Sequence, residues 1–128
     1  MNLDPLEFAV LRKLLEGDHP VLASLRLQAE GLSVAAREKT GAGFFTKFAT
    51  AVTSEPAPVN TGKLRFGDVE ATISGLANGA GFLLYVDEGR LSMLEGYSYE
   101  EPWPNEVKDF SLRFANADRA AVLAKIER

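Results

Sequence analysis

The chain of 128 residues has no cysteine, one histidine (His19) and one tryptophan (Trp103). Without thiols there can be no disulfide, thiolate metal site, iron–sulfur cluster or cysteine nucleophile. A lone imidazole leaves little room for zinc hydrolysis or a serine–histidine pair, which need further ligands or a nucleophile held beside the ring. Uninterrupted apolar runs are only a few residues long, too short for a bilayer-spanning helix, so no membrane partner is expected. The opening Met1-Asn2-Leu3-Asp4-Pro5 has neither a basic segment nor an apolar stretch. No secretory signal is therefore expected, and a cytoplasmic location is. Positive charge is also in short supply, with 14 Lys and Arg against 18 Asp and Glu for a net −4. That balance disfavours nucleic acid as a partner.

What remains is the make-up of an ordinary folded domain, 46% hydrophobic and 25% charged, at a length that suits a single domain over 1–128. The negative charge is local. Between Asp87 and Glu106 six acids (Asp87, Glu88, Glu95, Glu100, Glu101, Glu106) stand against Arg90 alone, while the rest of the chain carries 12 acids and 13 bases.

Helix signals come first. Asp4, Pro5 and Glu7 form a capping box with proline at the first helical position. Leu6, Val10 and Leu14 follow at i+4 spacing, and Gly17 is placed as the stop. Asp18 or His19, followed by Pro20, starts a second helix with Val21, Leu22, Leu25 and Ala29 on one face and Gly31 at its end. The pair reads as an αα-hairpin. From Leu32 the period becomes two, with Leu32, Val34, Ala36 and Glu38 on one side and Ser33, Ala35 and Arg37 on the other. A turn at 40–43 leads to a second strand from Phe44 to Val52, and 53–63 reads as a flexible loop.

A three-stranded antiparallel meander is expected over 65–99. Its two turns are Asn78-Gly79, with both residues at positive φ, and Asp87-Glu88-Gly89, as a type I turn with Gly89 left-handed. Phe110, Leu112 and Phe114 form a last strand. Asn116 caps a terminal helix bearing Val122, Leu123 and Ile126. The expected fold is α+β: a five- or six-stranded, mainly antiparallel sheet with the N-terminal αα-hairpin and the C-terminal helix on one face.

Several motifs lapse on inspection. Gly-Ala-Gly-Phe occurs at 41–44 and 79–82, but neither copy has a third glycine or opens a helix, so neither reads as a phosphate loop. Shared turn chemistry explains the repeat better than duplication does. Asp87-Glu88-Gly89 lacks the spacing of a calcium loop. Ser92 and Ser98 have no nucleophile-elbow context. No catalytic residue, metal site or cofactor is assigned.

Two constellations carry functional expectations. Alternation from Leu91 and Met93 puts Glu95 on an apolar face, where it could meet Arg37 if their strands adjoin. Such a pair would fix strand register or anchor a ligand at the bottom of a pocket. Tyr97, Tyr99 and Trp103, the last stiffened between two prolines, gather near Glu88, Glu100 and Glu101 as aromatic anchors among carboxylates.

Two segments, Arg37-Glu38-Lys39-Thr40-Gly41-Ala42-Gly43-Phe44-Phe45-Thr46-Lys47-Phe48 and Gly79 to Tyr99 with Trp103-Pro104, together resemble a family of small bacterial proteins of uncharacterised function. The resemblance spans roughly residues 32–115 by position in the sequence. It implies a shared fold and a bacterial source, and supplies no activity.

The expected function is a non-catalytic interaction domain whose acidic and aromatic face binds a basic protein or a second copy of the chain. Antitoxins and immunity proteins are analogues in size and charge only. The alternative is a small-ligand-binding domain with a pocket between sheet and helices, floored by Arg37, Glu95 and Tyr97.

Overall fold

The computed structural model describes residues 2–50, 55–59, 62–116 and 118–126. They form α1 (Pro5–Leu14), α2 (Pro20–Glu30), β1 (Ser33–Thr40), β2 (Gly43–Ala49), β3 (Lys63–Phe66), β4 (Val69–Ile73), β5 (Ala80–Asp87), β6 (Arg90–Ser98), β7 (Phe110–Phe114) and α3 (Ala120–Ile126). The seven strands build one antiparallel sheet in the order β1-β2-β6-β5-β4-β7, with β3 beside β5. The α+β class, the αα-hairpin and the C-terminal helix match the reading of the sequence. The strand count is seven rather than five or six.

The additional strand arises at Gly67. One continuous strand was expected before the Asn78-Gly79 turn, but the chain breaks after Phe66 and resumes at Val69. β4 pairs the start of β5 through Ala80 and Gly81, and β3 pairs its end from Leu84 to Asp87. At Gly67 the backbone comes so close to the Phe82 carbonyl that a Cβ would sit 1.9 Å from its oxygen. Only glycine permits that approach.

All three helices cover one face of the sheet. Leu6, Val10, Leu11 and Leu14 of α1, Leu22 and Leu25 of α2, and Val122 and Ile126 of α3 join a single buried cluster. Phe66, Ile73, Phe82, Leu84 and Leu94 supply its sheet side. The opposite face carries no helix.

Turn chemistry departs from expectation at three points. Glu88 and Gly89 both have positive φ, 50° and 77°. The β5–β6 hairpin therefore closes through a two-residue turn of the primed kind, whose twist matches the strands, and not a type I turn. At Asn78-Gly79 only Gly79 is left-handed, at 73°, because the connection runs over six residues from Ser74 to Gly79. Asp118 rather than Asn116 accepts from the Ala120 amide at the start of α3, at 3.1 Å. His19 is the N-cap of α2, accepting from the Val21 amide through Nδ1 at 3.1 Å.

Helix α1 ends at Leu14, before the expected stop at Gly17. Arginines take up the carbonyls released there. Arg119 donates to Leu14 O at 2.8 Å and to Glu16 O, and Arg26 donates to Leu15 O and Gly17 O. Arg119 also grips Asp68 through Nε at 2.7 Å and Nη2 at 3.0 Å, with the two side chains 10% and 8% exposed.

The buried Gln28 amide performs a comparable task for α2, donating to Glu55 O and Gly89 O and accepting from Leu91 N. That contact pins 55–59, the described centre of the expected flexible loop. Residues 53, 54, 60 and 61 of that loop, and 51 and 52 at the expected end of the second strand, lie outside the described residues.

Removing one partner of a buried ion pair leaves the other charge stranded. Arg119→Met is therefore expected to lower unfolding free energy by about 3–5 kcal/mol. In a double-mutant cycle with Asp68→Asn by urea denaturation, the double variant should lose clearly less than the sum of the singles.

Candidate functional site

The first cluster of polar groups forms at the start of α1. Glu7 is the N3 residue of the capping box. Its amide donates to Asp4 Oδ1 and its Oε1 accepts from the Asp4 amide, both at 2.8 Å. The same carboxylate lies on the buried side of the helix, one turn from Val10 and Leu11, and faces the sheet. Arg37 of β1 holds it with a two-pronged grip, Nε to Oε2 at 2.9 Å and Nη2 to Oε1 at 2.6 Å. The Thr46 hydroxyl of β2 donates to Oε2 at 2.5 Å. The Glu7 side chain is only 2% exposed, whereas that of Arg37 is 31% exposed.

Burial pushes the Glu7 carboxyl up. The hydrogen bonds from Arg37, Thr46 and the Asp4 amide, together with the arginine's charge, outweigh it and leave the group below its ordinary value. Arg37 in turn is held above its ordinary value, chiefly by the bond to Glu7.

The expected Arg37–Glu95 pair does not form, because the two side chains occupy opposite faces of the sheet. β2 also lies between their strands, and a β-bulge in each strand puts each side chain on the face opposite to the one plain alternation gives. In β1 the register skips between Val34 and Ala36, so Val34 and Arg37 share the helix-covered side. In β6 it skips between the partners of Tyr85 and Val86, leaving Ser92 as the additional residue. Leu91 and Leu94 are consequently buried under the helices, whereas Met93, Glu95 and Tyr97 face the side without helices. An added residue reverses the alternation beyond it.

That helix-free face has its own organisation. Glu95 accepts from the Tyr85 hydroxyl at 2.8 Å. Burial and then the bond to this carboxylate raise the Tyr85 phenol above its usual value. Tyr97 and Tyr99 meet edge to face, ring centres 5.6 Å apart and planes at 88°. They fold over Gly81, where a Cβ would stand 2.7 Å from the Tyr97 Cζ and from both hydroxyls. Burial raises the Tyr97 phenol, and Tyr99, Glu95 and Glu70 raise it further. Glu70 and Tyr97 flank Gly81 from the two neighbouring strands. Glu70 was legible only as a residue on the wet side of its strand, and Gly81 only as part of a turn.

The remaining candidates are dispersed. Glu88 is exposed in the β5–β6 turn, separated from Glu100, Glu101 and Trp103 by the nine residues of β6, roughly 26 Å of strand. Glu101 is turned inward on its own fold, accepting from the Ala77 and Asn78 amides at 2.9 and 2.8 Å. Glu100 is exposed beside Tyr99 at φ 60°. The acids of 87–106 thus do not form one patch.

Trp103 is half-buried and belongs to the helix-covered side, meeting Phe44 edge to face at 5.4 Å. Its backbone amide donates to Gly41 O at 3.0 Å. A cavity of about 270 Å³ opens between Trp103, Phe44 and the start of α1, with Arg37 in its wall. Glu95 and Tyr97, expected in its floor, lie on the far side of the sheet.

The Glu7 cluster gives an asymmetric expectation. Arg37→Met strands a buried carboxylate and should cost about 3–5 kcal/mol, whereas Glu7→Gln leaves a half-open guanidinium that water can reach and should cost less. Because the folded-state value of Glu7 is lowered, its contribution is full above the ordinary carboxylate range. It disappears as pH falls through the folded value. Urea unfolding from neutral pH downward should show this loss in the parent chain and a smaller loss in Glu7→Gln.

Among the described residues no group of three or more His, Cys, Asp or Glu side chains is placed to hold a metal ion, and no helix is long and apolar enough to cross a membrane. Compared with protein-family models, with curated proteins and with solved structures, the chain matches none.

Proposed function

We propose that this protein is a non-catalytic interaction domain that receives a basic side chain of a protein partner at the Tyr97–Tyr99 corner of its helix-free sheet face. The observation that carries this reading is the tyrosine pair folded over Gly81, with Glu70 across from Gly81 on the neighbouring strand and Glu95 two residues before Tyr97 on the same face. An arginine or lysine head placed there gains from the negative ring faces and from the carboxylates together. The half-buried setting shields those attractions from salt more than an open surface would.

Lys47, Arg65 and Arg113 lie on the same face, Arg113 directly across from Glu70 in the β4–β7 ladder. The proposed contact is therefore this corner and not the whole face. Exposed Glu100, next to Tyr99, adds a carboxylate at the rim. The reading keeps Tyr97, Tyr99 and Glu100 from the sequence and gives up Glu88, Glu101 and Trp103 as contacts. An immunity- or antitoxin-like role, neutralising a basic protein, fits this chemistry. The segments that carry the resemblance to small uncharacterised bacterial proteins build two hairpins, β1–β2 and β5–β6. Kinship with that family belongs to the same proposal.

Gly81→Ala isolates the corner. A methyl group there meets only the far ends of two flexible side chains, so the rings should lift while the strand stays. In an amide NMR titration, an arginine-rich peptide should shift Gly81, Tyr97 and Tyr99, and a citrulline version should not. Gly81→Ala and Glu95→Gln should each weaken the peptide about fivefold with little change in urea midpoint. Equal binding of the citrulline peptide, or shifts confined to the helices, would sink the reading.

A further inference from the structure

The cavity at the start of α1 is separate from the tyrosine corner and lies across the sheet from it. Three rings line it, beside aliphatic and charged side chains. Phe44 packs against Gly96, where a Cβ would come within 2.3 Å of the ring, and Trp103 meets Phe44 edge to face. Phe110 completes the lining on the β7 side.

The wall that bears Trp103 is tied down. The Trp103 amide donates to Gly41 O, and Ser98 donates through its amide and its hydroxyl to Ala42 O and through its hydroxyl to Glu101 O. A pre-formed, ring-lined cavity is the kind of space that binds small molecules without a large ordering cost. An apolar cavity of about 150 Å³ takes a benzene ring. The volume here, about 270 Å³, takes one ring and a short arm.

The charges around the mouth choose the arm. Two acids line the cavity, and both are engaged. Glu7 is neutralised by Arg37, and Asp4 turns Oδ1 back onto the Glu7 amide. The cations Lys39 and Lys108 also line it, both exposed, and neither has an ion pair among the described residues. The local balance therefore favours an anion, although the chain as a whole is acidic. Two ammonium groups at the rim of an aromatic slot suit a carboxylate whose ring can be buried.

We infer that this cavity binds a small aromatic carboxylic acid, its ring against Phe44, Trp103 and Phe110 and its carboxylate at Lys39 and Lys108. The inference does not depend on the proposed protein contact, since the two sites share no residue.

Trp103 is the chain's single tryptophan, so one indole N–H signal in an NMR spectrum reports on the cavity. The probes are 3-phenylpropionate and its neutral amide, 3-phenylpropanamide. Phenylpropionate should shift the Trp103 indole saturably, with Kd near or below about 1 mM. The amide should bind about tenfold more weakly.

The double variant Lys39→Ala with Lys108→Ala removes exposed side chains and should keep the parent urea midpoint. It should bring the acid down to the amide's affinity and leave the amide unchanged. No saturable shift at Trp103, equal affinity for acid and amide, or unaltered acid binding in the double variant would each overturn the inference. So would shifts that appear at Tyr97 and Tyr99 instead.

Discussion

The carboxylate of Glu7 is the constraint on which the placement of helix α1, and of the cavity beside it, depends. Taking a charged group out of water costs several kcal/mol, and here it is tolerated only because three elements meet to satisfy it. The first turn of α1 supplies the Asp4 amide, β1 supplies the Arg37 guanidinium and β2 supplies the Thr46 hydroxyl. A hydrophobic contact would allow the helix to slide or rotate on the sheet. A two-pronged bond to a fixed guanidinium does not, because it is directional. Helix α1 is thereby set at one height and one rotation, and with it the wall of the cavity beside Trp103.

The other end of the same helix is fixed by similar means. Arg119 reaches back from the C-terminal segment to the last carbonyls of α1 while it pairs with Asp68 between β3 and β4. A short helix of ten residues has little stability of its own. Held at both ends by arginines from opposite regions of the chain, it becomes a cross-brace over the sheet. Gln28 ties α2 to the far turn through three backbone groups at once. The described side chains leave no buried polar atom without a hydrogen-bond partner, so these braces come without the penalty of stranded donors.

Much of this was legible in the chain. The capping box at Asp4 and Glu7, the His19-Pro20 start, the αα-hairpin and the nearly continuous apolar run at Phe82–Val86 all describe local chemistry, and local chemistry is written in adjacent residues. What could not be read was parity. Arg37 and Glu95 were paired on the condition that their strands adjoin, but β2 lies between them, and alternation along each strand crossed a bulge, at Ala35 and at Ser92. One uncounted residue moves a side chain through the sheet. Glu7 was visible as a cap, and its i+3, i+4 and i+7 neighbours Val10, Leu11 and Leu14 already placed it on the buried stripe. An acid on such a stripe calls for a cation from elsewhere, and Arg37 was the base singled out. The only local signal of the split was Gly67 itself, and its cause, the approach of a carbonyl from a strand 15 residues further along, at Phe82, is not written nearby.

The borders of the sheet have a consequence of their own. Strand β1 forms one border. It carries a bulge at Ala35 and the charged run Arg37-Glu38-Lys39, features that discourage another strand from zipping on. Strand β7, five residues long, and strand β3, four residues long and paired only with β5, form the other. Lateral growth is thus discouraged at these edges, which favours face-on contacts in any assembly. Face-on contacts use up the surface they occupy, so an isologous one closes at a dimer.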